Sequence, residues 1–131
     1  MEEVLEFLKK CGTYYLATAD EDGQPRVRPF GTIHLFERRL YIETGKSKDV
    51  SRQMMAHPGI ELCAFDGSQW LRVRARAVED DRREARVSLL DAYPELSPMY
   101  SPDDGNTQVF YLENAEATFS SFTSAPRTVR F

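Results

Sequence analysis

Between Trp70 and Val78 the chain alternates without a slip: Leu71, Val73, Ala75 and Ala77 fall on one side, and Trp70, Arg72, Arg74 and Arg76 on the other. Successive strand side chains point to opposite faces, so this segment is predicted as a strand with one dry face and one cationic face. Ile60 to Phe65 and the turn Asp66-Gly67-Ser68-Gln69 precede it, which makes a hairpin whose apolar face requires a core.

The remaining segments supply partners for that hairpin. Glu2 to Lys10 has the spacing of a short amphipathic helix with Val4, Leu5 and Leu8 on one face, stopped by Gly12. Tyr14 to Ala19 reads as a strand, Asp20-Glu21-Asp22-Gly23 as a turn, and Arg26 to Phe36 as one return strand. After Glu37-Arg38-Arg39 comes a strand from Leu40 to Thr44, then a helix from Lys48 to Ala56 that ends before Pro58-Gly59. Asp80-Asp81 is expected to cap a helix over Arg82 to Tyr93, with Val87, Leu89 and Leu90 toward the core. Pro94 to Thr107 has loop chemistry and reads as a pocket wall or lid. Gln108 to Ser121 returns to strand pattern, with a short edge strand over Thr128 to Phe131. Strands joined mainly by hairpins predict a mainly β fold, an antiparallel barrel or sandwich with a few flanking helices.

At 131 residues the chain is expected to form one domain, 1–131, around a single core. A net charge of −4 argues against a nucleic-acid partner, because tracking phosphates needs a basic excess. Cys11 and Cys63 stand far apart and outside any C-x-x-C pair, which reads as reduced cysteine and a cytoplasmic setting. Met1-Glu2-Glu3-Val4 lacks the apolar run of a signal peptide, and no stretch approaches a membrane span, so neither secretion nor a membrane partner is expected.

Several chemistries lack their residues. No two of the seven glycines are separated by one residue, so a G-x-G-x-x-G dinucleotide cradle cannot be written. Gly45-Lys46-Ser47 resembles the end of a phosphate-binding P-loop, but Leu40 stands where its first glycine belongs. His34, His57, Cys11 and Cys63 are too few and too scattered to suggest a metal site. No G-x-S-x-G elbow is present either.

One segment does suggest chemistry. In Leu40-Tyr41-Ile42-Glu43-Thr44-Gly45-Lys46-Ser47-Lys48-Asp49-Val50 a strand runs through a glycine turn into a helix start carrying two lysines. Free amides and the dipole of a helix start attract an anion, Lys46 and Lys48 can neutralise a monophosphate, and Thr44 and Ser47 can donate hydroxyl bonds. Read alone, the same residues are also a solvated Gly-Lys turn. In Arg26-Val27-Arg28-Pro29-Phe30, proline removes a ladder donor and marks a strand edge where something else approaches the backbone. Arg28 and Phe30 would project to one side and Val27 to the other.

With the hairpin Tyr14 to Pro25 and the tripeptide Ala56-His57-Pro58, these pieces resemble the pyridoxamine 5′-phosphate oxidase-like FMN-binding split barrels, especially the small nitroimidazole-resistance-type flavoproteins. The likeness runs from Tyr14 to Phe122 and implies an antiparallel split β-barrel binding FMN between two subunits of a homodimer. It places Arg28, Pro29 and Phe30 along the isoalloxazine ring and Thr44, Lys46, Ser47 and Lys48 around the ribityl phosphate. Trp70 and Arg72 would reach the flavin of the partner subunit, or Trp70 would anchor the dimer interface. The implied activity is reduction of a small planar substrate with electrons from NAD(P)H or a reductase, in a pocket walled by Tyr100, Phe119 and the Pro94 to Thr107 loop. The oxidase's C-terminal arginine and histidine motifs have no counterpart here, so pyridoxal phosphate synthesis is not expected. Open alternatives are a non-catalytic flavin carrier or sensor, a split barrel for deazaflavin or for haem with His34 as axial ligand, and a plain dimeric module.

Overall fold

The computed structural model describes residues 1–131. Its strands are β1 (Tyr14–Ala19), β2 (Pro25–Phe30), β3 (His34–Phe36), β4 (Arg39–Gly45), β5 (Gly59–Phe65), β6 (Gln69–Glu79), β7 (Thr107–Ser121) and β8 (Arg127–Arg130). The helices are α1 (Glu2–Cys11), α2 (Asp49–Ala56) and α3 (Arg83–Ala92), with a 3-10 turn at Pro94–Leu96. All strand pairs are antiparallel, and the order β2-β1-β5-β6-β7-β4-β3 curls into a split barrel, with β8 adding to β7.

Strand β6 behaves as its alternation predicts. Leu71, Val73, Ala75 and Ala77 are buried, while Arg72, Arg74 and Arg76 are exposed. They join Leu16, Ile42, Leu62, Phe110 and Ala117 in the barrel core, and α1 plugs one end with Val4, Phe7 and Leu8. A bulge breaks the β6–β7 register, with Arg74 opposite Glu116 but Arg76 opposite Glu113. The extra residue lies on β7, where Asn114 takes φ 52, a conformation asparagine tolerates better than most side chains.

Two expectations need correction. The segment Arg26 to Phe36 is not one strand: pairing stops after Phe30 and resumes at His34. β2 and β3 occupy opposite ends of the strand order, so Gly31, Thr32 and Ile33 must cross from one edge to the other. Asp80 does not cap α3, whose N-cap is Arg82 with no side-chain cap bond. It is buried instead, accepting from the Tyr41 hydroxyl at 2.7 Å and from Arg82 Nη2 at 2.8 Å. The Arg82 guanidinium is the main reason its carboxyl is drawn down to about 2. On α3 the buried residues are Ala85 and Leu89, packed on Tyr41 and Val109, while Val87 and Leu90 are half-buried. No helix is long and apolar enough to cross a membrane.

Candidate site in the split of the barrel

The split lies between the end of β2 and the end of β4. A cavity of about 390 Å³ there is lined by Arg28, Pro29, Phe30, Thr44 and Lys48, together with Thr32, Glu43, Tyr93, Met99 and Tyr100. Five of the nine predicted site residues thus meet at one place. Arg28 and Phe30 share the inward face of β2, opposite Leu16 and Tyr14 in register, as the alternation requires. Phe30 tilts against Tyr14 at 6.0 Å between ring centroids. The Arg28 guanidinium donates to Thr18 Oγ1 and Gln53 Oε1, each at 2.8 Å, so its direction is fixed by β1 and α2. Lys48 Nζ stands 6.0 Å from the Tyr100 ring centroid.

Lys46 and Ser47 depart from the expected arrangement. Lys46 turns to a different cavity, beside Asp81, Arg86 and Asp103. The backbone amides of both residues are already used: Lys46 N–H donates to Asn106 O at 2.8 Å and Ser47 N–H to Asn106 Oδ1 at 3.0 Å. The 101–106 loop therefore seals the turn that was expected to present free donors. Gly45 permits this approach, since a Cβ there would stand 2.8 Å from Asn106 Nδ2 and 3.3 Å from Tyr100 Cε1. The cationic part of the cavity is Arg28 with Lys48.

Phe119 is not a pocket wall. It is buried in the barrel core, edge-on to Phe7 at 5.7 Å. Trp70 and Arg72 also lie away from this cavity in one chain. Pro29, Tyr15, Cys63 and Arg72 form a row across β2, β1, β5 and β6, so Arg72 is three strand spacings, roughly 14 Å, from Pro29. Trp70 packs on Phe122 at 5.1 Å, beside Phe65 on β5. His34 sits outside the split as well, with Nε2 2.8 Å from Ser88 Oγ, and burial lowers its pKa.

The residue that sequence reasoning missed is Glu43. It lines the cavity, is 7% exposed, and its Oε1 is buried without a hydrogen-bond partner. Burial pushes its pKa up to about 7, against the opposing pull of Lys48 and with a smaller upward push from Asp104. Its backbone N–H donates to Thr32 Oγ1 at 3.0 Å, and Thr32 O accepts from the Tyr14 hydroxyl, so Thr32 ties β4 to β1 behind the cavity. A single acid within the otherwise uncharged Leu40 to Thr44 strand was the available signal.

The comparisons agree with this architecture. Residues 1–121 match the family model described as pyridoxamine 5′-phosphate oxidase. The chain belongs to that family. It is similar, at 42% identity and a TM-score of 0.95, to a NimC/NimA family protein from Clostridium acetobutylicum, covering 100% of this chain and 92% of that one. A pyridoxamine 5′-phosphate oxidase-related, FMN-binding protein from Nostoc punctiforme shares the fold at 13% identity and a TM-score of 0.67, over 99% of this chain and 93% of that one. So does a haem-binding protein from Mycobacterium smegmatis, at 16% identity and 0.73, covering 98% of this chain and 57% of that one. No protein of curated function matches the sequence.

Proposed function

We propose that this family member binds FMN in the split of its barrel and acts as an oxidoreductase on a small planar substrate. The observation that carries this reading is the convergence of Arg28 and Lys48 with Phe30, Met99 and Tyr100 around one cavity. Lys48 suits an anionic phosphate, Arg28 suits the polar edge of a bound ring, and the apolar and aromatic wall suits its flat face. The cavity volume falls within the range of small-molecule sites. The Nostoc punctiforme relative, described as FMN-binding, supports the same choice.

Bound flavin would supply hydride or electron transfer, with the protein setting position and field. Lys48 would hold the phosphate end, with Thr44 beside it, while Arg28, tied to Thr18 and Gln53, would lie along the ring. Lys46 and Ser47 contribute through the fold of the turn, since their amides are occupied by Asn106. Pro29 and Phe30 would border the ring.

A homodimer completes the proposal. Tyr15, Val27 and Phe65 are exposed on the outer face of β1, β2 and β5, with Phe122 beside Trp70 at its edge. An apolar patch of this kind marks a partner surface, and a second copy seated on it would bring its Trp70 and Arg72 toward the flavin. The haem alternative draws less support, because His34 is engaged with Ser88 away from the split.

The visible spectrum of the purified protein tests the cofactor, since FMN, deazaflavin and haem absorb differently. Anaerobic bleaching by NADH or NADPH, followed by reoxidation with a nitroaromatic, supports an oxidoreductase. Bound flavin that resists reduction by nicotinamides and by a flavin reductase supports the carrier.

A further inference from the structure

Glu43 is unusual for where it stands. A buried carboxyl oxygen without a partner forfeits its water and gains nothing in return, so such groups are rare in folded proteins and call for a cause. Here the cause is not structural. The carboxyl joins no ion pair and ties no element to another, while its own backbone N–H is satisfied by Thr32. Glu43 lines a cavity that also holds Arg28 and Lys48, and Tyr93, Leu96, Met99 and Tyr100 line it too.

A ligand seated in this cavity can meet the buried oxygen only if it carries a hydrogen-bond donor. Taking the FMN reading above as its basis, the donors on the oxidised cofactor are the ribityl hydroxyls and the single ring imide, N3–H. Hydroxyls on a flexible chain leading to a phosphate remain accessible to water. A ring N–H pressed into an apolar wall has no such recourse and must be met by the protein. We propose that Glu43 is the residue that recognises the imide edge of the flavin ring, accepting its N3–H, and so selects planar heterocycles that carry such a donor.

A carboxylate bonded to a buried N–H contributes more than a neutral acceptor, and removing the donor leaves the charge stranded. The test measures dissociation constants, by flavin fluorescence quenching, for FMN and for FMN methylated at N3. The proteins are the wild type, Glu43→Gln, which keeps an acceptor oxygen, and Glu43→Leu, which has none. Thermal melting and size-exclusion profiles establish that each variant is folded.

The wild type should bind the methylated cofactor about tenfold or more weakly than FMN, the scale of one charge-assisted hydrogen bond. Glu43→Gln should retain part of that discrimination, and Glu43→Leu should lose it. A wild type that binds both flavins alike, or a Leu variant that discriminates as well as the wild type, overturns the role of Glu43 while leaving the FMN reading intact. Failure of the wild type to bind either flavin overturns both.

Discussion

The barrel has two unlike halves. Along β1, β5, β6 and β7 each strand pairs with the next, interrupted by one bulge between β6 and β7, and apolar side chains fill the interior, whereas between β2 and β4 no ladder exists and a cation pair, two tyrosines and an unpaired acid gather around a cavity. The closed half gathers its apolar side chains into one buried cluster and contributes stability. The split half leaves Glu43 Oε1 without a partner, a cost tolerated where a protein must meet a ligand. On the proposed reading, stability and recognition are assigned to different parts of one small sheet.

Core truncation in the closed half should give the largest effect on folding. Leu71→Ala, at a fully buried site, is expected to cost about 3 to 4 kcal/mol in urea denaturation, with flavin affinity of the folded fraction unchanged. A selective loss of affinity would erase the distinction between the halves.

Glu43→Gln should shift stability in the opposite direction, and only at higher pH. The folded carboxyl titrates at about 7 against an ordinary 4.5, so the folded state holds the extra proton and stability falls as pH rises between those values. Cofactor-free Glu43→Gln should therefore gain up to about 3 kcal/mol over the wild type at pH 8 and almost nothing at pH 4, in paired denaturation curves. Equal stabilities across that range would mean that the split is as comfortable as the core. The facing charges that set this balance are Lys48, which favours the ionised form, and Asp104, which opposes it.

Asn106→Ala probes the seam between the halves. It removes the acceptor for Ser47 N–H and the close contact over Gly45, so a loss of about 1 kcal/mol and faster amide exchange at Ser47 are expected. Protection at Ser47 equal to that of the wild type would show that the loop is held elsewhere.

Much of the closed half is legible in the sequence because strand periodicity is a local signal. Leu71, Val73, Ala75 and Ala77 announce their face without any knowledge of their partners. The split is harder to read because it is made by topology. Phe30 and His34 look like parts of one strand until β2 and β3 prove to lie at opposite ends of the strand order. Lys46 and Ser47 look free until a loop sixty positions on, through Asn106, takes their amides. Phe119 and Phe30 carry the same side chain, and only the register assigns one to the core and the other to the cavity. Of the two-lysine turn, Thr44 and Lys48 line the cavity in the split.

The smallest effect on stability should accompany the largest on ligand binding. Lys48→Ala should change folding by no more than about 0.5 kcal/mol, as exposed lysines contribute little. The decisive measurement titrates FMN and riboflavin into the cofactor-free wild type, Lys48→Ala and Lys46→Ala. A grip on the phosphate by Lys48 predicts that the wild type prefers FMN by about tenfold or more, that Lys48→Ala loses most of that preference, and that Lys46→Ala keeps it. Equal affinity for the two flavins in all three proteins would contradict it.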